Sequence, residues 1–119
     1  MPTKNDSLTD RLSRDSEITI TVTGRKSGRT ISIPIWFAWD DEKLYLLPVQ
    51  GSDTQWYKNI LANPAMKITA RNAGAEVQAV PITDTNGVAS VIEKFRAKYG
   101  AGEVKKYYSK FDVAVLVKM

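Results

Sequence analysis

The chain has 119 residues and a formal net charge of +4, from 17 Lys plus Arg against 13 Asp plus Glu, and it contains neither cysteine nor histidine. Those two absences exclude thiolate and imidazole nucleophiles, Ser-His-Asp triads, disulfides and zinc sites built on Cys or His. A hydrophobic fraction of 43% describes an ordinary globular chain, so a single domain over residues 1–119 is expected, its chemistry left to hydroxyls, carboxylates, amines, amides or a borrowed cofactor.

Residues 1–15 read as an N-terminal arm or short helix, with Leu8 and Leu12 four apart. They lack the apolar centre of a secretion signal, and no run in the chain approaches the roughly 18–20 apolar residues that span a bilayer. A cytoplasmic protein is therefore expected. From Glu17 the period changes to two: Ile18, Ile20 and Val22 alternate with threonines, the pattern of a half-buried strand. After a turn over Gly24 to Gly28, Ile31, Ile33, Ile35 and Phe37 make a second strand, in which Pro34 demands an edge or a bulge. Lys43 to Val49 forms a hairpin with it across Asp40-Asp41-Glu42.

Gly51-Ser52-Asp53-Thr54 then opens a helix over Gln55 to Leu61, with Asp53 as its expected cap, and Asn63-Pro64 stops it. Ala65 to Arg71 and Ala75 to Ile82 pair about a three-residue loop, Asn72-Ala73-Gly74. Asp84 caps a helix carrying Val88, Val91, Ile92, Phe95 and Tyr99, which Gly100-Ala101-Gly102 ends. A short helix or turn covers Glu103 to Ser109, and Phe111 to Lys118 is the last strand. Six short antiparallel strands with flanking helices predict an α+β fold, mainly β, closed or nearly closed into a small barrel.

Three segments carry candidate chemistry. In Thr23-Gly24-Arg25-Lys26-Ser27-Gly28-Arg29, two glycines bracket cations, an arrangement that suits an oxyanion held by converging amides. The same residues also fit a plain solvated turn. It is not a Walker loop, because the glycine spacing differs and no helix follows. Gly51 to Thr54 leads into Trp56 and Tyr57, where a helix N-terminus offers free amides, although a capped helix packing Trp56 inward explains it equally. Trp36, Trp39 and Trp56 would suit the walls of a flat-ring site, with Tyr99, Tyr107 and Tyr108 as phenolic donors at its mouth, although core or rim packing is the commoner role for any single one of them. Lys105 and Lys106 beside these tyrosines suit stacking on nucleic acid, but a charge of +4 is too dilute for that, and no nucleic-acid partner is expected.

The ordered set Thr23-Gly24-Arg25-Lys26-Ser27-Gly28, Pro34-Ile35-Trp36-Phe37, Trp56-Tyr57-Lys58-Asn59-Ile60, Ala62-Asn63-Pro64 and Val113 to Val117 resembles the deazaflavin-dependent nitroreductase and quinone reductase family of split β-barrels. The chain departs from that pattern at Val49-Gln50 and at Ile31. The resemblance implies a six-stranded split barrel that binds coenzyme F420, with FMN as the alternative. It further implies hydride transfer to a quinone, nitro compound or activated alkene. By the same resemblance Arg25, Lys26, Ser27 and Gly28 hold the phosphate, and Trp36, Gly51, Trp56 and Asn59 border the cofactor. Tyr107 and Tyr108 line the acceptor pocket. A non-catalytic flavin carrier or sensor is the competing expectation. Pairing of two copies across an edge near Pro34 or Trp39 would give a homodimer.

Overall fold

The computed structural model describes Leu12 and residues 15–41, 43–71 and 73–118. Most of the expected arm lies outside these residues, as does the chain end at position 119. Seven strands form one antiparallel sheet: β1 (Ile18–Thr23), β2 (Thr30–Ile35), β3 (Phe37–Asp40), β4 (Lys43–Leu46), β5 (Ala65–Ala70), β6 (Ala73–Ile82) and β7 (Ala114–Lys118). Their order is β2-β1-β5-β6-β7-β4-β3. Among the described residues three α-helices of more than one turn accompany them: α1 (Gln55–Ala62), α2 (Thr85–Tyr99) and α3 (Ala101–Tyr107). No helix among the described residues is long and apolar enough to cross a membrane.

The strand count corrects the expected six. The sequence pattern runs Ile31 to Phe37 as one strand, whereas the structure breaks it at Trp36 into β2 and β3. These two are the opposite edges of the sheet. Six steps between strands would separate flat edges by about 29 Å, while two backbone steps reach about 7 Å at most. A single connecting residue therefore requires the sheet to curl until its edges meet. Pro34 lies on β2, in register with Thr19, and occupies the edge its missing N–H demands.

The break is held from α2. The Tyr99 hydroxyl accepts the Phe37 amide (3.1 Å) and lies 2.6 Å from the Ser16 carbonyl and 2.9 Å from the Phe37 carbonyl. Lys98 Nζ donates to that same Phe37 carbonyl (3.0 Å) and sits 3.4 Å from the Phe37 ring centroid. The Tyr99 ring stacks on Trp36, with centroids 4.1 Å apart and planes 8° from parallel.

Alternation on the strands builds two cores. Phe37, Leu46, Val113 and Val115 point into the barrel with Ile18, Ile20, Val22 and Ile68, and α1 adds Trp56, Tyr57 and Ile60. Leu12, from the expected arm, is buried in this core as well. The neighbouring residues Ala38, Leu47 and Ala114 face outward against Val88, Val91 and Phe95 of α2 and Val104 of α3. Helix α2 begins as read, the Asp84 carboxylate accepting the Gly87 amide at 2.7 Å.

Several boundaries moved. The β5–β6 ladder continues to Ala70↔Ala73, so Gly74 pairs with Thr69 instead of sitting in the loop, and Arg71 begins the turn. Arg71 takes the positive φ of 60° that so tight a turn needs. Only Gly100 ends α2, with φ 95°, and Ala101 and Gly102 already belong to α3.

Two outcomes follow for stability. Tyr99→Phe strands the Phe37 amide at the break and should cost about 1–3 kcal/mol in urea unfolding; an unchanged midpoint would contradict the assigned role. The second concerns pH. Burial lowers the Lys98 pKa from 10.5 to about 8, partly offset by Asp15. Burial also raises Tyr99 to about 12, aided by Glu17 and opposed by its hydrogen bond to Phe37, and it pushes Tyr57 and Tyr108 up from 10.0. Between about pH 8 and 10 the unfolded chain binds the Lys98 proton more tightly, so stability rises with pH; above about 10 the unfolded tyrosines ionise first and it falls. Urea midpoints across this range should show that maximum, and Lys98→Met should flatten the rise.

Candidate functional site

A cleft of about 390 Å³ opens beside the break, lined by Glu17, Pro34, Ile35, Trp36, Leu47, Val49, Trp56, Tyr107 and Tyr108. That volume falls within the roughly 300–1,000 Å³ of small-molecule sites. Each part of the fold delivers a wall. The break turns Trp36 outward, α1 carries Trp56, and the C-terminal end of α3 brings Tyr107 and Tyr108. Tyr107 meets Trp36 edge-on, with centroids 5.4 Å apart, and is 49% exposed. Tyr108 is 5% exposed and packs against Phe95 and Phe111 as well as Trp36. Burial raises its phenol pKa, so it stays protonated through the neutral range.

Four of the ten residues singled out from the sequence, Trp36, Trp56, Tyr107 and Tyr108, thus meet in one cleft. The others do not line it. Arg25 is committed to α1: its Nη1 donates to Asn59 Oδ1 (2.7 Å) and its Nη2 to Gln55 Oε1 (2.9 Å). The Arg25 amide also reaches Asn59 Oδ1 at 3.2 Å. Asn59, 4% exposed, is therefore a buried polar residue whose Oδ1 accepts two bonds from Arg25 and clamps the β1–β2 turn to the helix. The turn's other amides are largely spent internally, Gly24 on Arg29, Gly28 on Gly24 and Arg29 on the Ser27 hydroxyl. The side chains of Lys26, Ser27 and Arg29 stay exposed.

Gly51 has a structural reason of its own. It is buried with φ 55°, and a Cβ there would lie 2.1 Å from Asp112 Oδ1. Asp112 reaches in to accept the Ser52 amide (2.9 Å) and hydroxyl (2.5 Å), bonds that hold its carboxyl below the usual range. Asp53, the expected helix cap, instead pairs with Lys110 at 3.2 Å, and Thr54 takes the cap position of α1. Thr54 spends its hydroxyl on the Gln50 amide (2.8 Å), so α1 starts without a side-chain cap. Trp39 and Tyr99, the remaining aromatic candidates, pack elsewhere, Trp39 against the barrel core and Tyr99 behind Trp36. Glu17, Leu47 and Val49 were not singled out, since a strand-flanking acid and ordinary strand hydrophobics carry no local mark of a cleft.

A curled antiparallel sheet, with α1 against its inner core and α2 and α3 against its outer face, is a split-barrel fold. Solved structures agree on the fold. An F420-H2 dependent reductase shares 18% identity with a TM-score of 0.68, over 87% of this chain and 94% of that one. The heme storage protein HutZ from Vibrio cholerae shares 11% with a TM-score of 0.71, over 98% and 90%. A structure described as a domain-swapped dimer shares 18% with a TM-score of 0.68, over 87% and 80%. Among curated proteins none matches. The chain belongs to the bacterial family described as "Uncharacterized protein conserved in bacteria (DUF2255)", which it matches over residues 9–116. Its likeness to the reductases is one of fold.

The clamp makes Arg25 and Lys26 separable. Arg25→Ala should cost about 1–3 kcal/mol of stability by removing the guanidinium bonds to Asn59 and Gln55, which leaves buried Asn59 Oδ1 with the Arg25 amide alone, and Arg25→Lys should not restore it, since an ammonium cannot make the forked contact. Lys26→Ala, removing an exposed cation, should stay within about 0.5 kcal/mol. Urea denaturation of the three variants checks this, and equal midpoints for Arg25→Ala and Lys26→Ala would refute the clamp.

Proposed function

We propose that the protein is an oxidoreductase that holds a deazaflavin of the F420 type, or FMN, with the ring in the aromatic cleft and the phosphate at the β1–β2 turn. The observation that carries this reading is the convergence of Trp36, Trp56, Tyr107 and Tyr108 on one cleft. Arg25 joins the turn to the residue next to Trp56, so the turn's cations lie at the foot of the helix that walls the cleft. With Arg25 and the Gly28 and Arg29 amides engaged, Lys26 and Arg29 are the side chains left to grip a phosphate, and Ser27 can add its hydroxyl. Structural neighbours that include an F420-H2 dependent reductase support the reading.

When bound, such a cofactor supplies a hydride to a quinone, nitro compound or activated alkene. The chain's part is to orient the ring between indoles, exclude water with apolar Ile35 and Leu47, and present Tyr107 at the cleft mouth toward the acceptor. A heme-storage neighbour raises the alternative of heme. The donors here do not fit it: the chain has no His or Cys, and burial holds Tyr108 as a neutral phenol, unsuited to ligate iron. A second copy added at the β2 edge, where Ile31 is exposed, would give the homodimer that the domain-swapped neighbour suggests.

Titration of the protein with reduced F420 and with FMN, followed by fluorescence quenching, should give micromolar or tighter binding, with riboflavin weaker for want of a phosphate. Lys26→Ala and Arg29→Ala should each weaken it by about 1.5–3 kcal/mol if the phosphate bonds are charge-assisted. Absence of binding by either cofactor refutes the proposal. Binding without hydride transfer to any quinone or nitroarene tested leaves a carrier.

A further inference from the structure

The cleft has one charged wall. Among the described residues that line it, Glu17 alone carries a charge, set beside the rings of Trp36, Trp56, Tyr107 and Tyr108. This opposes the whole-chain balance of +4, which by itself draws anions. The cation close to the break, Lys98, is turned to the Phe37 carbonyl and ring and does not line the cleft. The Glu17 carboxylate is near enough to act on the Tyr99 hydroxyl behind Trp36. Aromatic faces attract cations through their quadrupole, and a carboxylate beside them adds a direct attraction. An anionic ring meets the opposite field.

We propose that the cleft selects a flat conjugated cation, an amino-substituted or N-alkylated heteroaromatic ring, over an anionic ring of the same shape, with Glu17 as the residue that sets this specificity. The inference rests on reading the cleft as the place where the acceptor meets the cofactor ring. Chemically the match is sound. The cation gains a hydride at a ring carbon, forming one C–H bond with the electron pair of the bond broken in the reduced cofactor (C–H in a deazaflavin, N–H in a flavin), and the oxidised cofactor sheds its remaining ring N–H proton to water. Its charge is cancelled in the same step, so no proton is required from a chain that lacks histidine and keeps Tyr108 neutral. The neutral product then loses its attraction to Glu17, which favours release.

The test compares two tricyclic dyes, cationic thionine and resorufin at a pH where it is an anion, titrated against the full chain by fluorescence. Thionine should bind about tenfold or more tightly than resorufin, and Glu17→Gln should bring the two within about threefold, as expected for loss of a single nearby charge. Trp36→Ala should weaken both. Glu17 is exposed, so its substitution should leave the unfolding midpoint unchanged. Equal affinities, a preference that survives Glu17→Gln, or no binding of either dye overturns the inference. FMN titrated in parallel separates the two readings. FMN binding without dye preference removes the role of Glu17 and keeps the ring site. A Glu17-dependent preference without FMN binding keeps the charge filter and removes the flavin.

Discussion

The structure depends on one backbone constraint: a single residue, Trp36, separates two strands that form opposite edges of the sheet. Such a link forces curvature, and curvature encloses the core of Ile18, Ile20, Phe37, Leu46 and Val115. It also leaves a backbone amide and carbonyl at Phe37 that must be satisfied where the strand pairing changes sides. Tyr99 and Lys98 of α2 meet that need, and in doing so fix the helix against the outer face of β3.

The cleft is a by-product of the same constraint. Where the chain leaves one edge for the other, the Trp36 side chain is presented at the join, backed on one face by Tyr99. Tyr107 and Tyr108 close over it from α3, and α1 contributes Trp56 from within the barrel. Each of these rings has a packing role, which ties the site's geometry to the fold's stability. Arg25 extends the coupling to the basic turn, since its guanidinium spans the turn and α1.

Much of this was legible in the sequence. The period-two runs of β1, β4 and β7 put Ile18, Leu44, Leu46, Val115 and Val117 in the barrel core, and the spacing of Val88, Val91 and Phe95 on α2 makes the face that covers the outer side, so local pattern and burial agree. The capping of α2 by Asp84 follows from sequence neighbours alone. The seventh strand was not legible. Ile31 to Phe37 keeps an alternating pattern straight through Trp36, and only the distant Tyr99 and Lys98 show that the backbone changes partners there. For the same reason the clamp made by Arg25 was not legible: its bond to Asn59 joins residues 34 positions apart. Asp53 likewise read as a cap, and the packing reason for Gly51 was hidden, because Lys110 and Asp112 approach them from the far end of the chain.

Sequence by itself determined that this protein has no thiol or imidazole chemistry, that its fold is an antiparallel barrel with helices, and that cations gather between two glycines. These follow from composition and from periodicities of two and 3.6, properties carried by neighbouring residues. The tertiary structure alone decided which candidates share a cleft, that Arg25 is a clamp, and that among the described residues Glu17 is the one acid lining that cleft. The physical reason is that a concave site is made by closure. Its walls come from the residue before β1, the β2–β3 break, the segment after β4, α1 and the end of α3, and only the curling of the sheet brings residues 17, 36, 56 and 107 into one surface.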